Sequence, residues 1–239
     1  MPQEQALACK VALITGASRG IGFAIASRLG RMGARVSICA RNQETLAHAA
    51  SGLRAEGIET LAVTADIAQG EQISALVQKT QQELGPIDIL VNNAGIGLFG
   101  PFHEFGEADW TRVLDTNLKA VFLACRAVSP EMIRRQTGHI INISSLAGKN
   151  TFAGGAIYCA SKWGLMGLTG GMAEDLRGHG IRVSAVCPGS VATEFGGHSP
   201  RDPAKMLQAE DVAHAVAALV TQSAGSFISE VHIRPTRKP

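Results

Sequence analysis

The sequence has no long apolar run: none of its 239 residues belongs to a window approaching the roughly 18 uninterrupted apolar residues of a membrane-spanning helix. The first seven residues also lack the positively charged region and the following apolar stretch of a signal peptide. We therefore expect a cytoplasmic protein that is not attached to a membrane.

Clusters of basic residues are absent as well. The 22 Lys and Arg residues are scattered along the chain and balanced by 20 Asp and Glu residues, for a net charge of +2. This excludes the basic patch typical of a nucleic-acid-binding protein or of a polybasic membrane anchor. Because 46% of the residues are hydrophobic, the chain can bury a large core, which excludes a disordered protein. We expect a globular protein whose partner is a small molecule.

Cysteine pairs are also missing. No C-x-x-C motif occurs, and no cysteines and histidines lie at the spacing of a zinc site. We expect reduced, mostly buried cysteines and no metal. The five cysteines are Cys9, Cys39, Cys125, Cys159 and Cys187.

Short apolar segments rich in β-branched residues recur along the chain. They are apolar at nearly every position, which is typical of strands covered on both faces in a parallel sheet. These segments are 10–15, 35–40, 59–65, 87–91, 139–144, 182–187 and 227–233. Segments with helical spacing alternate with them, at 21–32, 43–56, 71–84, 110–135, 156–177 and 209–221. The alternation predicts an α/β fold with a doubly wound parallel sheet and helices on both faces.

No linker or change in composition divides the chain, so we expect a single domain over residues 1–239. The least regular stretch is 189–205, which is rich in glycine and proline. In a sheet of this kind it lies beyond the carboxyl end of a strand, where ligands bind. We expect it to be a mobile substrate loop.

A glycine-rich turn follows the first predicted strand and opens the first predicted helix. Its spacing is G-x-x-x-G-x-G, which allows backbone N–H groups at the helix start to face a pyrophosphate. Glycine-rich turns alone are weak evidence, but the position between strand and helix favours a dinucleotide site. The candidate residues are Gly16, Ser18, Arg19, Gly20, Ile21 and Gly22.

The end of the second predicted strand indicates which dinucleotide is bound. An acidic residue there usually binds the ribose 2′-hydroxyl, but this sequence has Ala40-Arg41-Asn42. Arg41 and Arg19 favour a 2′-phosphate, and therefore NADP(H) over NAD(H). The alternative is that Arg41 is merely a solvated charge at the end of a strand.

Tyr158 and Lys162 are four residues apart in a helical segment, so both side chains lie on one helix face. The ordinary pKa of tyrosine, about 10, is too high for ready proton exchange at neutral pH, and a nearby ammonium lowers it. This is the only tyrosine in the chain, so chance pairing had few opportunities. The spacing predicts a tyrosine that acts as an acid or base.

These motifs together resemble those of the short-chain dehydrogenase/reductase family over almost the full chain. The matching residues, in chain order, are 15–22, Asn92-Asn93-Ala94-Gly95, Asn117, Ser145, Tyr158-Cys159-Ala160-Ser161-Lys162 and Pro188-Gly189. The resemblance extends to 3-oxoacyl-[acyl-carrier-protein] reductase-like members. The carboxyl end, Glu230 onward, departs from the Val-Asp-Gly-Gly-like tail of many members.

The resemblance implies a catalytic tetrad. Tyr158 is the expected proton donor or acceptor, and Lys162 lowers its pKa and binds the nicotinamide ribose. Ser145 is expected to bind the substrate carbonyl, and Asn117 to hold a water that passes protons to Lys162. Neighbouring Ser144 competes for the serine role, but the family spacing of 13 residues before the tyrosine selects Ser145.

Further cofactor contacts follow from the same resemblance. On the adenine side they are Asp66, Asn93, Ala94 and Gly95, and around the nicotinamide carboxamide they are Pro188, Gly189, Val191 and Thr193. The alternatives are an ordinary turn for the Asn-Gly segment and for Pro188-Gly189, and a helix cap for Asp66.

The resulting hypothesis is an NADP(H)-dependent oxidoreductase that moves a hydride between nicotinamide and a carbonyl or secondary alcohol. Apolar walls at 97–102, at 146–155 and around Phe195 predict a ketone, aldehyde or 3-oxoacyl thioester substrate. A non-catalytic dinucleotide-binding sensor or scaffold is the alternative, and an epimerase or dehydratase is the alternative enzyme. The family resemblance also implies a homotetramer, or a homodimer, packed through the long helices at 110–135 and 156–177.

Overall fold

The computed structural model describes residues 5–197, 202–223 and 225–237, in which strands and helices alternate. The strands are β1 (Val11–Thr15), β2 (Arg35–Ala40), β3 (Thr60–Thr64), β4 (Ile89–Asn92), β5 (Gly138–Ile143), β6 (Ile181–Pro188) and β7 (Glu230–Ile233). All are parallel in one sheet of order β3-β2-β1-β4-β5-β6-β7.

Helices cover both faces of this sheet. They are α1 (Gly20–Arg31), α2 (Gln43–Ala55), α3 (Gly70–Leu84), α4 (Glu107–Leu114), α5 (Ala120–Arg135), α6 (Ala156–Arg177) and α7 (Ala209–Val220). Helices α1, α2 and α7 pack in one apolar core, and α3, α5 and α6 pack in the other. Strand β1 contributes alternate residues to each, Ala12 and Ile14 to the first core and Val11 and Leu13 to the second. The predicted doubly wound α/β fold is confirmed.

The strand order changes direction between β1 and β4, because β2 and β3 lie on one side of β1 while β4 to β7 follow on the other. The segments after β1 and β4 therefore diverge and leave a crevice at the carboxyl edge of the sheet. Ligands of open α/β sheets bind in this crevice. The segments after β5 and β6 reach the same edge and complete it.

The predicted strands agree with the observed ones to within three residues at either end, and β2 agrees at both ends. The prediction of one regular helix over 110–135 is wrong. Helix α4 begins earlier, at Glu107, and a π-helical turn over Asp115–Lys119 separates it from α5. The turn leaves the run of helical residues unbroken, so apolar spacing does not reveal it.

The predicted substrate loop, 189–205, is described except for residues 198–201, which lie outside the described residues. Its base is fixed by a bridge between Val191 and Leu207, where the Ala192 N–H donates to the Leu207 carbonyl over 2.8 Å. Short 3-10 turns occupy Phe195–Gly197 and Pro203–Lys205. Among the helices that the structure describes, none combines the length and apolarity needed to cross a bilayer.

Candidate active site

The glycine turn between β1 and α1 is held tightly against the segment after β4. Gly16 has a φ of +66°, and a Cβ placed on it would lie 2.7 Å from the Cα of Ala94. A Cβ on Gly22 would lie 2.4 Å from the Gly16 carbonyl oxygen. Asn93 Nδ2 donates to the carbonyls of Thr15 (2.9 Å) and Gly16 (3.0 Å). The turn therefore requires glycine, and Asn93 fixes its shape.

The start of helix α1 has the features of an anion-binding position. Arg19 precedes the helix without a side-chain cap, and the first turn contains no acidic residue. The N–H groups at such a helix start carry partial positive charge and bind phosphate. Thr193, from the segment after β6, approaches this turn: its Cγ2 would lie 3.4 Å from a Cβ on Gly20. The structure therefore brings Thr193 beside the glycine turn.

The two arginines expected at a 2′-phosphate have different surroundings. Arg19 forms an ion pair with Glu194, and both side chains are exposed. Arg41 is exposed just beyond the end of β2. Asn42, next to it, caps helix α2 by accepting from the Thr45 N–H over 2.9 Å. The amide at this strand end is therefore explained by helix capping.

Asp66, expected at the adenine, makes a local turn after β3. Its Oδ1 accepts from the Ala68 N–H over 3.0 Å, and its own N–H donates to Gln72 Oε1 over 2.8 Å. This is an Asx turn before α3 and not the helix cap that the sequence offered as the alternative, because the helix begins at Gly70 after Gln69. An adenine contact by Asp66 stays a prediction.

Pro188 and Gly189 lie where β6 ends. The Gly189 N–H donates to the Ile233 carbonyl over 2.8 Å, which continues the pairing with β7. This N–H is therefore engaged within the protein. Pro188 is buried, and Val191 is partly buried at the bridge with Leu207. Their expected contacts with the nicotinamide carboxamide stay predictions.

Ser145, Tyr158 and Lys162 meet at the carboxyl edge of the sheet. Ser145 follows β5, whereas Tyr158 and Lys162 lie in the first two turns of α6. The Ser145 hydroxyl lies close enough to the Tyr158 phenol to affect its pKa. The Lys162 Nζ lies 5.8 Å from the centroid of the Tyr158 ring and donates to the Ile143 carbonyl over 3.0 Å. The tyrosine, serine and lysine of the predicted tetrad are thus neighbours.

Asn117 lies in the π-helical turn, and its side-chain amide is used within the protein. Oδ1 accepts from the Ile96 N–H (2.8 Å), while Nδ2 donates to the Ile96 carbonyl (2.9 Å) and to Ser161 Oγ (3.0 Å). Asn117 therefore joins the segment after β4 to helix α6, directly beside Lys162. These three hydrogen bonds all use the side-chain amide of Asn117 and involve none of its backbone atoms. The predicted role of Asn117 in holding a water therefore stays a prediction.

The structure separates the two candidate serines. Ser144 is 4% exposed, and its Oγ points toward Gly148, where an added Cβ would lie 3.0 Å away. Ser145 is partly exposed, and its Oγ accepts from the Ala147 N–H over 3.1 Å in addition to its contact with Tyr158. The geometry favours Ser145, as the sequence predicts.

The electrostatics of the pair differ from the expectation. Burial raises the pKa of Tyr158 to about 12, although the nearby Ser145 hydroxyl partly opposes this rise. Burial lowers the pKa of Lys162 to about 8. The predicted lowering of the Tyr158 pKa by Lys162 is therefore not seen, because burial dominates and the ammonium donates to the Ile143 carbonyl.

Three half-exposed phenylalanine rings surround the tyrosine. Phe99 lies 5.5 Å and Phe195 lies 5.7 Å from the Tyr158 ring, centroid to centroid, and Phe152 lies 6.0 Å from Phe99. We call these three rings and Tyr158 the aromatic cluster. Each phenylalanine comes from one of the three segments predicted as substrate walls, and the structure brings these walls together.

The model of the family described as short chain dehydrogenase matches residues 10–204, from the residue before β1 to beyond the aromatic cluster. This chain belongs to the short-chain dehydrogenase family. The resemblance drawn from the sequence motifs is thereby confirmed, as is the prediction of an oxidoreductase.

Individual short-chain dehydrogenases match along most of the chain. A metagenomic short-chain oxidoreductase, solved in complex with NADP, is 47% identical with a TM-score of 0.87, covering 97% of this chain and 99% of that one. The 3-oxoacyl-[acyl-carrier-protein] reductase of Synechocystis sp. is 38% identical over 232 residues, 94% of each chain. Ketoacyl reductase HetN of Nostoc sp. is 42% identical over 183 residues, covering 77% of this chain and 64% of the relative.

This short-chain dehydrogenase also contains a polar cluster between β6 and β7 that residue spacing does not indicate. Cys187 and His232 are register partners on β6 and β7, and their ligating atoms lie within 4.8 Å of each other and of Glu230. Lys149 donates to Glu230 over 2.8 Å, so the carboxylate is already paired with a positive charge. Burial, reinforced by the Glu230 charge, raises the pKa of Cys187 to about 11. These residues meet only because β6 pairs with β7, so their spacing in the sequence does not indicate that they lie together.

Proposed function

We propose that this protein is an NADP(H)-dependent oxidoreductase that interconverts a carbonyl compound and a secondary or primary alcohol, with Tyr158 as general acid or base. The observation that carries the proposal is the Tyr158 phenol, which lies beside Ser145 and Lys162 at the sheet edge that also holds the glycine turn. A protein that only binds a dinucleotide needs the turn but has no use for this arrangement.

The residues around the crevice fit a nicotinamide dinucleotide. The uncapped start of α1, with Gly16, Gly20 and Gly22 before and within it, suits a pyrophosphate. The glycine turn has no room for side chains, because a Cβ added to Gly16 would meet Ala94 and a Cβ added to Gly22 would meet Asn93. Arg19 and Arg41 would hold the 2′-phosphate of NADP(H), in agreement with the NADP-bound relative. When bound, NADPH supplies the hydride.

The protonation states support carbonyl reduction in particular. With a pKa of about 12, Tyr158 keeps its proton at neutral pH and is ready to donate it. Ser145 and Tyr158 both offer hydroxyl groups to one substrate oxygen, which stabilises the negative charge that develops there. Lys162, with a pKa of about 8, stays mostly charged at pH 7 and can bind a ribose hydroxyl. Tyr158 thus gives up the proton that completes the alcohol.

The proposed substrates are ketones, aldehydes or 3-oxoacyl thioesters. Support comes from the phenylalanine rings around Tyr158 and from the ketoacyl reductase relatives. We also propose a homotetramer or homodimer packed through α5 and α6, where Phe122 (46%) and Trp163 (51%) are about half exposed. Sedimentation of the purified protein as a monomer would exclude the assembly.

The test follows nicotinamide absorbance while the protein meets NADPH or NADH with ketones, diketones, quinones and 3-oxoacyl thioesters. We expect NADPH-dependent reduction. Tyr158→Phe should lower kcat about 10²- to 10⁴-fold and leave NADPH binding intact, because only the proton donor is lost. Comparable turnover by Tyr158→Phe would exclude the assignment.

Ser144 and Ser145 give a matched pair of controls. Ser145→Ala should lower kcat, because it removes a hydroxyl from the substrate oxygen, whereas Ser144→Ala should retain activity. Tight NADPH binding with no turnover of any carbonyl would favour the sensor or scaffold instead. Failure to bind NADPH would overturn the cofactor assignment.

A further inference from the structure

The aromatic cluster is the largest group of exposed apolar rings described beside the candidate catalytic residues. Phe99 is 43% exposed, Phe152 50% and Phe195 42%, whereas Tyr158 beneath them is 8% exposed. Exposed apolar side chains gathered in one patch usually mark a binding surface. Here the patch borders the phenol that the proposed function assigns to proton transfer.

Each of the three rings packs against the backbone of a glycine, in the space that a Cβ would occupy. A Cβ on Gly97 would lie 2.7 Å from atoms of both Phe99 and Phe195, and one on Gly155 would lie 2.5 Å from Phe152. Backbone without a side chain thus makes room for the rings at the places where they pack. Phe99 and Phe152 are also joined through their segments, because the Gly100 N–H donates to the Gly154 carbonyl over 2.9 Å.

The rings are inclined to one another. Phe99 meets Tyr158 at 71° and Phe195 at 63°, and it meets Phe152 at 42°. Aromatic pairs favour edge-to-face and offset arrangements, in which a positive ring edge meets a negative face. Rings inclined in this way present both faces and edges to a further ring placed among them. Aliphatic walls of similar volume present no such complementarity.

The segments that carry two of these rings contain no charged residue, namely 93–101 and 150–157. The charged residues closest in sequence to Phe152 and Phe195 are already paired, Lys149 with Glu230 and Glu194 with Arg19. Lys162, next to Tyr158, is buried and donates to the Ile143 carbonyl. The walls therefore suit an uncharged group and offer nothing to a carboxylate or phosphate next to the reacting carbonyl.

We propose that the site takes aryl ketones, with the aromatic ring attached to the carbonyl carbon packed among Phe99, Phe152 and Phe195. This inference rests on the proposed function and specifies its substrate class. In this reduction the carbonyl carbon accepts a hydride from NADPH and the carbonyl oxygen accepts the Tyr158 proton. The products released are an aryl carbinol and NADP⁺. Solvent then returns the proton to Tyr158.

The test compares acetophenone with cyclohexyl methyl ketone, which has the same carbon skeleton without aromaticity. The kcat/KM ratio of the two ketones is measured for the unaltered protein and for Phe99→Leu, Phe152→Leu and Phe195→Leu. Leucine keeps an apolar side chain and removes the ring. The control is Phe227→Leu, which precedes the amino end of β7 and therefore lies at the sheet edge opposite the aromatic cluster.

We expect the phenyl-over-cyclohexyl ratio to fall roughly 2- to 12-fold when one ring is lost, the effect of one aromatic pair, and to stay unchanged in Phe227→Leu. Using ratios cancels the different intrinsic reactivities of the two ketones. Turnover of both ketones with ratios unaffected by any cluster variant would overturn the inference while leaving the proposed function intact.

A binding measurement separates the remaining outcomes. Calorimetry with Tyr158→Phe measures acetophenone and cyclohexyl methyl ketone affinities without any reaction. If no carbonyl is turned over but acetophenone binds and loses affinity in Phe99→Leu, the aryl site stands and the proposed function fails. If neither turnover nor ring-dependent binding is found, both fail.

Discussion

Arg19 and Glu194 form an ion pair that joins the glycine turn to the segment after β6. Arg19 immediately precedes α1, and Glu194 lies between Thr193, which approaches Gly20, and Phe195, which packs against Tyr158. The pair therefore connects the proposed phosphate site with the proposed substrate site. The Glu194 carboxylate holds the arginine that a 2′-phosphate would need.

From this pair we predict that Glu194→Gln binds NADPH about two- to fivefold more tightly, because Arg19 no longer has to leave a carboxylate. The change is small since exposed ion pairs are weak. NADH, which lacks the 2′-phosphate, should bind equally well to both proteins. Fluorescence titration with each nucleotide measures this, and Glu174→Gln, an exposed glutamate paired with Arg177, is the control. Weaker NADPH binding by Glu194→Gln would instead show that the pair closes over the cofactor.

The low pKa of Lys162 predicts a pH dependence. Burial places this pKa at about 8, below the ordinary lysine value, so the ammonium is present below pH 8 and lost above it. If the charged form binds the nicotinamide ribose, carbonyl reduction should be level near pH 7. It should then fall about tenfold per pH unit above pH 8.

The kcat/KM profile for carbonyl reduction, measured between pH 6 and 10, checks this midpoint. Lys79→Gln, remote on α3, should have the same profile as the unaltered protein. A decline that begins only near pH 10 would mean that Lys162 keeps an ordinary pKa during the reaction or that its charge is not needed.

Substitution of two glycines by alanine distinguishes two contributions to the loss of stability, the strain of a positive φ and the steric clash of an added Cβ. Gly16 and Gly57 both have positive φ, +66° and +79°, but an added Cβ meets Ala94 at 2.7 Å only at Gly16 and open space at Gly57. We predict that Gly57→Ala destabilises the fold by about 1–2 kcal/mol and leaves NADPH binding unchanged. Gly16→Ala should destabilise it further and weaken NADPH binding at least tenfold.

Urea unfolding and nucleotide titration of both glycine variants provide the measurements. Equal losses of stability would show that Ala94 moves aside without cost. Unchanged NADPH affinity in Gly16→Ala would remove the glycine turn from the proposed cofactor site.

The fold was predictable because its signals are local. Strands such as β1 and β2 are buried on both faces, so they read as continuous apolar segments, and the helices between them keep their 3.6-residue spacing. The positions of Tyr158 and Lys162 on one helix face follow from the same period. Ser145 could be chosen over Ser144 because of the family spacing of 13 residues before the tyrosine, while the opposite directions of adjacent residues at a strand end indicated that only one of the two faces the site.

Features that depend on contacts between distant segments were not predictable. The Arg19–Glu194 pair joins residues that are 175 positions apart, and Cys187 meets His232 only through the pairing of β6 with β7. The pKa of Tyr158 was expected to fall, but the expectation considered Lys162 alone. Burial beneath Phe99 and Phe195 depends on two segments whose course periodicity does not predict.

Because of the π-helical turn at Asp115–Lys119, the geometry of the site depends on the number of residues in the continuous helix formed by α4, this turn and α5. Such a turn holds one residue more than an α-helical turn, so α4 and α5 behave as one helix that has received a single-residue insertion. That extra residue turns Asn117 toward Ile96 and Ser161. Deleting one residue here would restore regular winding and rotate α4 by about 100° relative to α5. A substitution in this continuous helix thus changes one side chain. A change in its length rotates a whole helix and removes the hydrogen bonds of Asn117 to Ile96 and Ser161 beside Lys162.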